Sequence, residues 1–266
     1  MDKKSKIMER LHHDMMYVTN KGYKVLGVFL QGSQNYNLDY PGSDIDTKCI
    51  VIPSFEDIVL NKQPASTTLI LEDNSHIDVK DVRLMWQCFK KQNINFLEIL
   101  FTKYYIVSSR YELFWNDMRE IAERIAHYNN YAAVNCIAGM VMEKNAALCH
   151  PYPTLKDKID KYGYDNKQLH HIIRCEEFLQ RYIDGVPYKK CLIPLFPEYL
   201  INVKSTYMYS LEEAKEIARK AVENVKEIKQ KYMDTHPVSI DDGVETTMTE
   251  ILVDIMKRSI AEDIKD

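Results

Sequence analysis

The order of apolar and polar positions divides the chain into a strand-bearing first part and a helical remainder. Ile7, Met8, Leu11, Met15 and Val18 recur at helical spacing from about Lys6 to Asn20, and Gly22 supplies a C-terminal cap. A continuous apolar run from Val25 to Leu30 reads as a buried strand and stops at Gly32-Ser33. A second strand begins at Ser43. Its period of two puts Asp44, Asp46 and Lys48 on one face and Ile45, Thr47 and Cys49 on the other. Pro53 ends that run, and Phe55 to Leu60 reads as a short helix or loop wall. Two further apolar runs, Thr67 to Leu71 and His76 to Val79, flank the hairpin tetrad Glu72-Asp73-Asn74-Ser75.

Helical patterning takes over from there. Val82, Met85, Trp86 and Phe89 share a face between Asp81 and Gln92. Ser108 or Ser109 can cap a long helix carrying Phe114, Trp115, Met118, Ile121 and Ile125, and another runs from about Asn130 to Cys149 until His150-Pro151-Tyr152-Pro153 stops it. Pro187 to Pro197 reads as a covering loop, Ser210-Leu211-Glu212-Glu213 as a capping box, and the segment from about Asp241 to Ile264 as a last amphipathic helix. The pattern predicts an α+β domain over residues 1–107 and a helical domain over 108–266.

Composition narrows the class. Hydrophobic residues at 45% and charged residues at 28% are ordinary for a globular protein, which excludes disordered and fibrous classes. A net charge of -4 speaks against a broad nucleic-acid surface. No apolar segment approaches the ~18 residues of a membrane span. The charged start does not read as a signal peptide, so a cytoplasmic protein is expected. The six cysteines show no C-x-x-C spacing and the eight histidines no H-x-x-x-H, which argues against zinc and for buried free thiols.

Candidate chemistry concentrates between Gly27 and Ile52. At Gly32-Ser33 a small residue lets the backbone approach a ligand, and the following amides can face an anion. Asp44 and Asp46 on one face repel each other unless a cation neutralises them, and Mg²⁺ favours carboxylates completed by water and substrate phosphates. A plain turn followed by a solvated edge strand is the structural alternative. Asp78 points opposite to its neighbours Ile77 and Val79 and is the candidate third carboxylate. Asp81 competes, but stands where a carboxylate caps a helix. With Asp165 as a cap, Lys167, His171 and Arg174 fall on one face of a later helix and make a basic stripe suited to phosphate. The alternative there is a solvated face with Arg174 paired to Glu177.

Gly32-Ser33 followed by Ser43-Asp44-Ile45-Asp46 resembles the signature of the DNA polymerase beta-like nucleotidyltransferase superfamily. The segment Asn93 to Phe101 and the Lys167, His171, Arg174 pattern resemble its predicted bacterial and phage group. The resemblance implies a palm-like mixed sheet with helices on one side, followed by a helical domain. It implies that Ser33 and the Gly32 amide contact the β- and γ-phosphates of a nucleoside triphosphate. Asp44, Asp46 and Asp78 would hold Mg²⁺, with Mn²⁺ as a substitute, while Lys167, His171 and Arg174 assist nucleotide binding. The acceptor class, whether small molecule, protein or RNA end, is left open, as is a base stacked on Tyr36 or Tyr40. Two other classes remain: a catalytically silent nucleotide-binding regulator, and an antitoxin-like helical partner protein.

Overall fold

The computed structural model describes residues 2–73 and 75–264, so Asn74 of the expected hairpin tetrad lies outside the described residues. The chain falls into two compact units, one of residues 1–35, 42–129 and 240–266, the other of residues 36–41 and 130–239. The expected boundary at 107/108 therefore falls inside the first unit.

In the first unit, α1 (Lys3–Asn20) is capped by Asp2, whose carboxylate accepts from the Ser5 amide at 2.7 Å. β1 (Lys24–Gln31) leads into a 3₁₀ turn at Gly32–Asn35, and β2 (Asp46–Ile52) follows. The second strand thus begins three residues later than its pattern suggests. Its antiparallel partner β1 ends at Gln31, opposite Asp46, which leaves Ser43, Asp44 and Ile45 no ladder to join. After the capping-box helix α2 (Phe55–Val59) come β3 (Ser66–Ile70) and β4 (His76–Asp81). Next are α3 (Val82–Lys90), α4 (Ile94–Leu97), a 3₁₀ turn at Glu98–Leu100, and β5 (Tyr105–Val107). That last strand, three residues long, is too short to show a period. The long helix expected beyond it is broken at Ile121 into α5 (Glu112–Glu120) and α6 (Ala122–Ala126).

The sheet order is β3-β4-β2-β1-β5, mixed, with β2 and β4 parallel and the other neighbours antiparallel. Its two faces are both covered, which corrects the expectation of helices on one side. Ile7, Leu11 and Val18 of α1 pack on Val28, Leu30, Cys49, Val51, Ile77 and Val79. On the opposite face the Phe29 ring lies 4.2 Å from that of Trp115 in α5, and α3 packs on β2 and β4. Each strand sends alternate residues to each side, so the positions between the α1-facing residues belong to the second face.

The second unit is helical: α7 (Asn130–Ala147), α8 (Lys156–Tyr162), α9 (Asn166–Ile183), α10 (Tyr188–Cys191), α11 (Pro197–Ser205) and α12 (Leu211–Thr235). α7, α9 and α12 pack on one another, and α11 packs on α9. The expected covering loop from Pro187 holds the short α10. The chain returns to the first unit as α13 (Asp242–Asp263), where Lys24 donates to Ser259 at 2.8 Å and pairs with Asp263 at 2.5 Å. No helix of the described residues is long and apolar enough to cross a membrane.

Candidate active site

The strand register assembles a charged row on the α3–α5 face. Phe29, Lys48, Asp78 and Thr68 stand side by side on β1, β2, β4 and β3. Asp46 lies two residues before Lys48 on the same face, and Lys80 two residues after Asp78. A diagonal step of one strand and two residues puts the Asp46 and Asp78 Cα atoms about 8 Å apart. Asp81 points to the other side. It is buried, caps α3 by accepting from the Arg83 amide at 2.8 Å, and pairs with the Arg83 guanidinium at 2.7 Å. Asp78 is therefore the carboxylate of β4 that joins the row.

Asp46 is pressed against the phosphate-turn candidate. Gly32 has φ +79°, and a Cβ built on it would lie 3.3 Å from Asp46 Oδ2. A side chain there would be strained by the backbone and would crowd the carboxylate. The turn is fastened from within. The Gly32 N–H donates to Glu98 Oε2 at 3.1 Å, and Asn35 Nδ2 donates to the Leu30 carbonyl at 2.8 Å. Thr102 Oγ1 in turn donates to Asn35 Oδ1 at 2.7 Å. Glu98 is 4% exposed, and its side-chain oxygen holds this turn through the Gly32 N–H. The Gly32 amide is thus already engaged, and Ser33 beside it is half-buried. Asp44 stands exposed in the segment before β2, outside the strand, so it does not share a pleated face with Asp46.

Lys48 is the residue whose importance the pattern understated. It is 2% exposed, its ammonium lies 4.0 Å from the centre of the Phe96 ring, and it is hydrogen-bonded to Asp78 Oδ2. Lys80 pairs with the other oxygen of Asp78 at 3.3 Å and donates to Ser66 Oγ at 2.8 Å. Asp78 is neutralised by two ammonium groups. Among the described residues no group of three or more His, Cys, Asp and Glu is gathered as a metal site. Asp44 and Asp46 offer oxygen donors of the kind a hard cation takes together with waters and phosphate oxygens. A second ion ligated by Asp78 does not fit this arrangement.

Within the second unit, Asp165 caps α9 through the Lys167 amide at 3.1 Å, and the side chains of Lys167, His171 and Arg174 follow along the helix. Arg174 does not pair with Glu177, which instead takes Arg181 at 3.1 Å. The Arg174 guanidinium stacks on the Tyr36 ring at 3.7 Å. Tyr36 is 3% exposed, so Arg174 rather than a base covers that ring. Tyr40 is approached by Lys204 Nζ at 5.0 Å. Burial, together with the charges of His170, Arg174, Lys167 and Lys144, holds the His171 imidazole well below its ordinary pKa. Burial likewise lowers His170 to about 3. Its Nδ1 sits 2.9 Å from the Leu200 carbonyl, to which it donates.

No model of a known protein family matches the chain, and no curated relative does. Among solved structures, a nucleotidyltransferase-like protein from Exiguobacterium sibiricum aligns over 94% of this chain and 80% of its own, at 10% identity and a TM-score of 0.31. A likeness of that size carries no argument, and the functional reading stands on the site's own residues.

Proposed function

We propose that this chain is a metal-dependent nucleotidyltransferase, moving a nucleoside monophosphate from a triphosphate to an acceptor hydroxyl. The observation that carries the reading is the place of Asp46 beside the turn: a carboxylate at the head of β2 lies next to a positive-φ glycine just after β1. A turn that lets phosphate approach and a carboxylate that attracts its cation are what phosphoryl chemistry requires. Asp44 and Asp46 would hold Mg²⁺ or Mn²⁺, which when bound neutralises phosphate charge and stabilises the leaving pyrophosphate. Ser33 donates its hydroxyl to a phosphate oxygen. The acceptor oxygen bonds to the α-phosphorus, the bond to the bridging oxygen breaks, and the proton is released to water. Lys167 and Arg174 of α9, with neutral His171, are proposed as phosphate ligands, since neighbouring cations favour an anion there.

A second reading has its own observation. The Gly32 amide is engaged by Glu98, and Asp78 by Lys48 and Lys80, as in a protein that binds nucleotide without turning it over.

Pyrophosphate release from each of the four nucleoside triphosphates with Mg²⁺ decides between them. The wild type is compared with the Asp44→Ala, Asp46→Ala double variant, with cell extract as acceptor pool, with and without RNase. Release that needs the aspartates supports the transferase, and its loss on RNase treatment names an RNA acceptor. Nucleotide binding without release in every arm supports the silent regulator.

A further inference from the structure

We infer that Lys48 is the built-in second cation of this site. Asp78 is its counter-charge rather than a metal ligand, so the strand pair takes up one divalent ion where three carboxylates suggest two. The inference deepens the nucleotidyltransferase reading, which assigns the ion to Asp44 and Asp46.

Four observations converge on it. The parallel register of β2 and β4 sets Lys48 directly beside Asp78, so backbone pairing rather than a flexible side chain brings the two together. The Lys48 side chain is 3% exposed, and a buried ammonium stays charged only beside a counter-charge. Its ammonium pairs with Asp78, while the Phe96 ring 4.0 Å away supplies a favourable face. Lys80 meets the other carboxylate oxygen at 3.3 Å, so both oxygens of Asp78 face ammonium groups. A divalent ion at Asp78 would have to displace Lys48 into apolar surroundings or stand beside two positive charges, and both are unfavourable.

The first test is a stability cycle on the metal-free chain in EDTA, comparing Lys48→Met, Asp78→Asn and the double variant. Breaking a buried pair leaves one polar partner stranded, so each single variant should lower the unfolding midpoint by roughly 5 to 10 °C. The double variant should lie well above the sum of the two losses, because removing both partners strands nothing. Additive losses, or an Asp78→Asn chain that melts like the wild type, would overturn the pairing.

The second test counts Mn²⁺ bound per chain by the loss of its free paramagnetic resonance signal. One site is expected in the wild type and in Asp78→Asn, and two in Lys48→Met, where Asp78 has lost its principal ammonium. Two sites in the wild type, falling to one in Asp78→Asn, would overturn the inference and restore Asp78 as a ligand. Neither readout depends on turnover. An inactive wild type with a coupled cycle would sink the transferase and keep the pair, whereas an active enzyme with two sites would do the reverse.

Discussion

The β2–β4 face and the α9 face both carry charge, but they arrange it in opposite ways. On the sheet, Asp46, Lys48, Asp78 and Lys80 alternate in sign, and Asp78 meets an ammonium at each oxygen. On the helix, Lys167 and Arg174 repeat one sign, and with Lys144 they repel a proton from His171. Strand register fixes neighbours at the spacing of a ladder, so like charges there need an intervening opposite charge. A helix can collect like charges on one side, where each adds about a few tenths of a kcal/mol of repulsion. On the proposed reading, the sheet would hold a reacting group in fixed geometry and the helix would attract an anion. The largest expected contrast follows from this. Asp46→Ala should lower pyrophosphate release roughly a thousandfold or more while the far-ultraviolet circular dichroism is retained. If release falls by less than about tenfold, the sheet is not where the chemistry happens.

The turn beside Asp46 offers a finer cut. Glu98→Ala removes the acceptor of the half-buried Gly32 N–H, a cost of about 1 kcal/mol. It should also slow turnover by roughly 10- to 100-fold, because a turn displaced by an ångström misplaces the phosphates. Glu98→Gln keeps an acceptor oxygen and should recover most of both losses. Chemical denaturation and pyrophosphate release measured on the same samples would check this. Equal damage from Ala and Gln would mean that the negative charge, not the hydrogen bond, is what the turn needs.

What the sequence disclosed about these two regions follows the same physics. Parity along a strand placed Asp46 and Lys48 together and pointed Asp78 away from Ile77 and Val79, because side-chain direction is a property of the backbone alone, while Asp81 stood apart by its place at a helix start. Parity could not show where β2 starts, since that depends on where its partner β1 ends, and Asp44 was placed on the strand for that reason. Nor could it give the partner of Lys48, which depends on which strand lies alongside. Asp14 was hidden differently. It falls on the apolar stripe of α1 between Leu11 and Val18, where it accepts from Thr47 Oγ1 at 2.6 Å and pairs with Arg10 at 2.7 Å. A carboxylate in an apolar stripe was the available signal. On α9 the helical period aligned Lys167, His171 and Arg174, but the stacking of Arg174 on Tyr36 links residues distant in sequence and leaves no local trace.

Substitutions on α9 should act on binding rather than on the chemical step. Lys167→Gln and Arg174→Gln should each weaken triphosphate binding about tenfold, with release at saturating nucleotide little changed. Raising the salt concentration should narrow the gap between variant and wild type, since exposed charge is screened. A loss confined to the saturated rate would move α9 from anchoring to chemistry and erase the contrast with the sheet.

The smallest effect tests the helix without any ligand. His170 and His171 have folded pKa values below the unfolded value of about 6.5, so the unfolded chain takes up protons that the folded chain refuses. Their contribution to stability is complete above about pH 6.5 and is lost as pH falls from there towards the folded values. Each imidazole accounts for about 1.4 kcal/mol per pH unit. Urea midpoints between pH 7.5 and 5 should therefore drop on the acid side. His170→Asn, which retains a donor for the Leu200 carbonyl, should make that slope shallower, and His171→Gln should do the same. Arg174→Gln sharpens the point: with one repelling cation gone, His171 protonates more readily in the folded chain, and the slope should flatten slightly. If Arg174→Gln leaves the slope untouched while His171→Gln flattens it, burial alone keeps the imidazole neutral. The cations of α9 would then not act on it together, and the helix would lose its standing as an anion-seeking face.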